Sequence, residues 1–206
     1  MNLSETLPQI LFGLGTSLSL IVAIGAQNAY LLRQGILGRF VWPIAFFCIL
    51  SDAFLIGLGV LGMGALVDSA AWVLDLLRWG GALFLLCYGA LAARRALRPS
   101  ALTIDSQDSG PASLGKALLL AAAMTYLNPH AYLDTIVLIG GIAAQQGQDR
   151  WVFYAGAVAG SALWFGLLAS CSRFLRPLFA QPRAWRVLDA GIALLMFFLA
   201  YKILFS

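Results

Sequence analysis

A few polar side chains stand in otherwise apolar surroundings, and their types and spacing define the chemistry to consider. Asp52 lies near the centre of CILSDAFLIGLG (48 to 59), and Asp134 lies in HAYLDTIVLIGG (130 to 141). A carboxylate at mid-membrane costs about 2.5 to 3.5 kcal/mol on insertion scales, so such residues face a cavity or a partner and are functional candidates. Asn128-Pro129-His130 interrupts the same run as Asp134. Proline removes an amide donor and clashes with the preceding turn, whereas Asn suits an N-cap and Pro the first helical position. The spacing therefore predicts a helix that stops and restarts at Asn128, with the plain proline kink as the alternative. A restarted helix presents amides and a positive dipole end, which suit a carboxylate. Gly25, Gln27 and Asn28, in AIGAQNAYLL (23 to 32), form a second polar interruption. His130 and Asp134 are four apart and so share a helix face. Gly25 and Pro129 are thus the expected helix breaks. Asp52, Asp134, Gln27, Asn28, Asn128, His130 and Gly25 are the candidate binding residues, with the two aspartates also able to carry protons.

The elements that position these groups follow from composition. Of 206 residues, 61% are hydrophobic and 11% charged, and mean hydropathy is +0.87. Soluble domains carry roughly twice that charge. Six apolar runs, near 7 to 32, 41 to 66, 71 to 93, 117 to 142, 151 to 171 and 187 to 205, are each long enough for a membrane-spanning helix. A cleaved leader at Ala23 and Gly25 is disfavoured by Glu5, the lack of an early Lys or Arg, and the length of the first run. Cys48, Cys87 and Cys171 all fall inside predicted helices, where thiols behave as small apolar groups.

Short cytoplasmic loops collect Lys and Arg. The first, third and fifth connections hold ten of the thirteen: Arg33, Arg39, Arg94, Arg95, Arg98, Lys116, Arg173, Arg176, Arg183 and Arg186. Arg150 and Lys202 fall on the other side, and Arg78 within the third run. This bias makes those loops cytoplasmic and both termini external; a five-helix count would flip one end. Trp42, Trp72, Trp151 and Trp185 each open an apolar run, where amphipathic rings prefer the interface.

The halves overlay. QNAYLL (27 to 32) matches PHAYLD (129 to 134), and WGGALFLLCYGA (79 to 90) more weakly matches AGIALLMFFLAY (190 to 201). Three helices per half, an odd number, place duplicated halves in opposite orientations, as in secondary transporters with midplane sites at broken helices. The expected architecture is all-α: one membrane domain over 1 to 206, repeat 1 about 1 to 97, a cytoplasmic linker about 98 to 114, and repeat 2 about 115 to 206.

Weaker features complete the inventory. Asp75 and Arg78 are spaced for a local ion pair, and Gly156 with Gly160 forms a GxxxG pattern suited either to helix packing or to a homodimer contact. A single His cannot form a metal centre, and Ser170, Cys171 and Ser172 lack a nucleophile's partners. No cofactor and no nucleic-acid partner are expected. A membrane-embedded enzyme using Asp52, Asp134 and His130 lacks metal-ligand spacing or a phosphate-cradling loop, and a divalent-metal exporter would carry more His, Cys or acidic residues on its loops.

The sequence resembles the LysE/ArgO family of basic amino acid exporters. The resemblance runs through GAQNAYLLRQGI (25 to 36), LSDAFLIGLG (50 to 59), LRWGGALFLLCYGA (77 to 90) and TYLNPHAYLDTIVLIGG (125 to 141). Ala26 departs from it, standing where the family often has Pro, so here the first break must come from Gly25 and the amides. The resemblance implies export of L-lysine or L-arginine across the bacterial inner membrane, with Asp52 and Asp134 functionally important. Such a substrate offers one carboxylate and two cations, matching an amide-rich helix break and two carboxylates. Moving its net charge outward against an inside-negative potential costs about 2.3 kcal/mol per 100 mV, which exchange for one proton cancels. Desolvation favours a protonated carboxyl and an adjacent cation favours the carboxylate. Each aspartate therefore suits a proton or the substrate, one at a time.

Overall fold

The computed structural model describes residues 3 to 22, 25 to 62, 71 to 97 and 113 to 205, and among them it is helical throughout with no strand. Of the linker expected over 98 to 114, all but Ser113 and Leu114 lies outside the described residues, as does Ala23. The helices are α1 (Leu3–Ile21), α2 (Ala26–Leu37), α3 (Val41–Val60), α4 (Ala71–Leu97), α5 (Leu114–Tyr126), α6 (Pro129–Tyr132), α7 (Gly140–Gln145), α8 (Arg150–Leu175) and α9 (Pro182–Phe205). A π-helical stretch, Leu133–Ile139, joins α6 to α7.

Four described helical stretches are long and apolar enough to cross a membrane: Val41–Val60, Asp75–Leu97, Gly147–Leu175 and Arg183–Phe205. The pair Thr6–Ile21 and Ala26–Leu37 passes the same test together but is bent by 83°, so it counts as a fifth span if the pair is one broken helix. Leu114–Tyr126 alone is shorter. The outer faces carry Phe46, Phe54, Trp79, Leu83, Leu194 and Phe198, each more than half exposed. A surface so apolar belongs in lipid, and the chain is a multi-pass membrane protein.

Element ends follow local chemistry. Gly38 closes α2 in the left-handed region (φ 71°), its amide donating back to the Gly35 carbonyl, a conformation glycine adopts without Cβ strain. Ser113 caps α5 by accepting from the Lys116 amide at 3.3 Å. Within the bundle, α4 packs along α9, α1 along α8, and α3 against α8 on one side and the π stretch and α7 on the other. The crossings depend on glycine: a Cβ on Gly156 would sit 2.1 Å from the Ile10 carbonyl oxygen, and one on Gly140 would sit 2.6 Å from the Gly59 Cα. Gly160 likewise faces Leu14 of α1. The GxxxG pattern therefore seats α8 on α1 inside one chain.

Two expectations about charges and rings change. Arg78 does not pair with Asp75: its Nε donates to the Ile203 carbonyl at 2.7 Å and an Nη to that of Leu204, satisfying acceptors that the end of α9 leaves over. Trp42 and Trp151 are exposed as expected, whereas Trp185 is buried against Phe179, with ring centroids 5.2 Å apart. The Trp72 side chain lies outside the described set.

Arg33 and Arg95, counted with the loops, are drawn into the bundle by Asp189. Both Nε atoms meet Asp189 Oδ1, at 3.3 and 3.1 Å, so one carboxylate ties α2, α4 and α9 together. Asp189 is 1% exposed and Arg33 4%. Breaking a buried pair by removing one partner costs about 3–5 kcal/mol. Asp189→Asn is accordingly expected to lower the unfolding temperature in detergent markedly; an unchanged temperature would show that the carboxylate does not hold these helices.

Candidate functional site

The expected site residues converge. A cavity of about 310 Å³ is lined by Gly25, Gln27, Asn28, Asp52, Asn128, His130 and Asp134. Asp52 enters from α3, Gly25 from the bend before α2 and Gln27 and Asn28 from the first turn of α2, Asn128 and His130 from the break that starts α6, and Asp134 from the π stretch. Phe84 and Leu85 of α4, Phe165 of α8, and Leu199, Lys202 and Ile203 of α9 close the remaining walls. Few polar groups in a largely apolar pocket of this size is the usual build of a small-molecule site.

Both interruptions are real helix breaks. On the first side α1 ends at Ile21, Gly25 is extended (φ −100°, ψ −179°), and α2 begins at Ala26. The bend forms with Ala26 in the place of proline, because Asn28 Nδ2 donates to the Ile21 carbonyl at 2.8 Å and thereby satisfies the broken end. Asn28 Oδ1 accepts from Trp164 Nε1 of α8 at 3.3 Å, so the same amide pins the bend to a neighbouring helix. On the second side Asn128 Oδ1 accepts from the His130 amide at 3.2 Å, with Pro129 in the first helical position. The carbonyls freed by the proline find other donors: Thr125 O takes the Asn128 amide at 3.4 Å, and Tyr126 O takes the Tyr132 hydroxyl at 2.8 Å.

These partners revise one expectation. The restarted helix was expected to offer free amides to an anion, but its His130 amide is capped by Asn128 Oδ1 and its Ala131 amide donates to the Asn128 carbonyl at 3.1 Å. The polar atoms left over are on side chains. His130 Nε2 is buried with no hydrogen-bond partner among the described residues, and the buried Gln27 amide has only the Cys48 thiol beside it. His130 and Asp134 share the cavity as expected, although the helix between them changes from α to π at Leu133.

Asp52 is 7% exposed and accepts a 2.7 Å hydrogen bond from the Ser161 hydroxyl of α8. Asp134 is half-buried and lines the cavity together with His130 and Lys202. The nearest surroundings hold the frame: Tyr126 donates to Ser51 Oγ at 3.0 Å, and Tyr154 to the Ala53 carbonyl at 3.2 Å, on either side of Asp52. Gly81 lets α4 approach the second break so closely that a Cβ there would lie 2.0 Å from the Leu127 carbonyl oxygen. Among the described residues no group of three or more His, Cys, Asp or Glu is placed to hold a metal ion.

Sequence reasoning missed Ser161, Trp164, Gly81 and Lys202. Nothing local in GSALW (160 to 164) marks a carboxylate's donor. Lys202 did carry a signal, since a lone cation within an apolar run is itself a candidate, but it was counted with the far end of the chain.

Residues 18 to 206 match the LysE type translocator family. A Mycobacterium tuberculosis protein, which its name proposes as an amino-acid transporter, is 46% identical over 91% of this chain and 92% of its own length. The lysine exporter LysE of Corynebacterium efficiens is 37% identical, covering 93% of this chain and 96% of its own length. The arginine exporter ArgO of Klebsiella pneumoniae is 36% identical, covering 93% and 90%. No solved structure matches the chain.

Asn28 joins the broken end of α1, α2 and Trp164, so Asn28→Ala should cost about 1–3 kcal/mol, the usual loss when a buried acceptor is left unsatisfied. Thermal unfolding of the purified variant in detergent measures it, and a transition at the wild-type temperature would show that the bend does not need this amide.

Proposed function

We propose, from the premise that the chain belongs to the LysE family of translocators, that it exports basic amino acids, L-arginine or L-lysine, across the bacterial inner membrane in exchange for protons. The observation that carries the proposal is the meeting of Asp52 and Asp134, from separate helices, in one cavity between two broken helices. A basic amino acid brings two cationic groups, and two carboxylates of fixed position suit them. Relatives of similar length, named as lysine and arginine exporters, support the same substrate class.

Proton exchange follows from charge. Outward movement of a monovalent cation against an inside-negative potential costs about 2.3 kcal/mol per 100 mV. One proton carried inward on a vacated aspartate makes the cycle electroneutral. Asp52 is the better enclosed of the two, and the Ser161 hydroxyl that donates to its carboxylate would have to turn or accept when the carboxyl holds a proton.

The architecture proposed is six spans in two inverted three-helix repeats: α1 with α2, α3 and α4 in the first, and α5 through α7, α8 and α9 in the second. Three features support it. The first span of each repeat is broken at its polar motif. The second span of each packs on the first span of the other, α8 on α1 and α3 on the π stretch and α7. The third spans, α4 and α9, pack on each other. Alternating access is then a rocking of these halves about the shared cavity. The Arg33–Asp189–Arg95 bridge ties three helices on the side that the charge bias makes cytoplasmic, and Lys202 lies thirteen residues, about 20 Å of helix, towards the other side. On this topology the bridge would hold the bundle together on the cytoplasmic side of the cavity.

Asp52→Asn and Asp134→Asn are each expected to abolish arginine and lysine counterflow in proteoliposomes while the protein still elutes as a folded species. Labelled neutral amino acid and a divalent metal in parallel vesicles test the substrate class, and retained basic amino acid transport in either variant would remove that aspartate from coupling. Reporter fusions at the two termini are expected to report the external side for both; an internal N-terminus would sink the six-span arrangement.

A further inference from the structure

A basic amino acid brings two cations and one carboxylate, and the two aspartates leave the carboxylate without a partner. The second helix break does not supply one: the His130 amide is capped by Asn128 Oδ1, the Ala131 amide donates to the Asn128 carbonyl, and Pro129 has none. At the first, the Ala29 amide donates to the Gly25 carbonyl at 3.0 Å and Asn28 Nδ2 is held by the Ile21 carbonyl, while Gly25 gives no side-chain cap to the amides of Ala26 and Gln27, which are donors without the full charge that matches a carboxylate.

Lys202 offers what the breaks do not. It lines the cavity from α9, is exposed at its edge, and sits close enough to Asp134 for their charges to interact. Among the described residues it makes no ion pair within 4.0 Å, whereas buried Arg33 and partly exposed Arg95 are engaged by Asp189 outside this cavity. Gln27, whose buried amide has only the weakly accepting Cys48 thiol beside it, lines the same space as a neutral donor. We infer that Lys202 is a specificity-determining residue that receives the substrate's α-carboxylate, with Gln27 as a second donor, so that the cavity reads two cations and one anion. The inference rests on the export reading above and deepens it.

Charge complementarity explains what such a residue would select. Asp52 and Asp134 alone carry two negative charges and would suit a diamine as well as an amino acid. With Lys202 added the fixed charge is one negative, which matches arginine or lysine at net +1 and disfavours the decarboxylated amine at +2. Lys202 thus rejects a competitor by like-charge repulsion while attracting the intended substrate. In the absence of substrate its ammonium partly neutralises Asp134.

The test uses the purified full chain in proteoliposomes, with counterflow of labelled L-arginine and agmatine, the decarboxylated amine of arginine, as competitor. Wild-type protein is expected to prefer arginine. In Lys202→Met the arginine KM should rise about tenfold or more, the scale of one lost charge-assisted hydrogen bond, and agmatine should compete as well as before or better. Lys202→Arg should restore the preference, and Lys202→Gln serves in place of the Met variant should that one not elute as a folded species. A folded Met or Gln variant that keeps the wild-type KM and preference would overturn the assignment. Equal loss of binding for both compounds would overturn it too, because a carboxylate partner should not matter to a ligand that has no carboxylate. Wild-type vesicles that move no basic amino acid would instead refute the export reading, and this inference with it.

Discussion

Hydrocarbon offers no water to a free amide or carbonyl, so a helix can be interrupted inside a membrane only where other protein groups complete its hydrogen bonds. Among the described residues two interruptions line the cavity, and at each of them side chains complete hydrogen bonds that the break leaves open. At the first, Asn28 folds its amide back onto the Ile21 carbonyl. At the second, Asn128 caps the His130 amide, and the Asn128 amide and the Tyr132 hydroxyl satisfy the carbonyls of Thr125 and Tyr126. The two motifs, GAQN and NPH, differ in every residue except asparagine, yet in both an asparagine side chain closes the break.

Closing the breaks determines what is left for a ligand. At the second break the backbone amides that could have been aimed at an anion are consumed internally, so on the export reading the charged recognition chemistry falls to side chains that line the cavity: Asp52, Asp134, Gln27, His130 and Lys202. Side chains can be placed on several helices at once, and these five come from α2, α3, α6, the π stretch and α9. Close crossings make that possible. Gly81 brings α4 against the Leu127 carbonyl, and Gly59 and Gly140 bring α3 against the start of α7, so the helices that carry the polar groups converge without intervening side chains.

Much of this was legible in the sequence because charge and proline are costly in a membrane. Asp52, Asp134 and Asn128-Pro129-His130 declare themselves against an apolar background, and the cavity joins them as expected. The break at Gly25 was legible as well, and it forms with Ala26 in place of proline, with Gly25 extended and Asn28 bonded to the Ile21 carbonyl. What stayed hidden depends on pairing across the chain. Ser161 is an ordinary serine until α8 sets it 2.7 Å from Asp52. Asp189 gains its role only because α9 brings it to Arg33, 156 positions earlier. The Asp75–Arg78 pairing failed for the same reason: a distant helix end offered Arg78 better acceptors than its neighbour in sequence.

The distribution of charge along α9 joins these points. Near its start Asp189 collects two arginines, a centre with one more positive than negative charge; near its end Lys202 faces a cavity with two carboxylates, a centre with one more negative. On the export reading these opposite balances divide the work. The negative centre would admit one net positive charge, as substrate or as proton, and the proposed exchange would then be one for one. The positive centre repels the same cation from the helix ends that the bridge holds together, and therefore opposes its passage on that side for as long as the bridge is closed. Opening towards the cytoplasm would then require Asp189 to release at least one arginine, most readily Arg95, which is 25% exposed where Arg33 is 4%. The exposed arginine can regain water as it leaves, so the desolvation cost that locks Arg33 in place weighs less on Arg95.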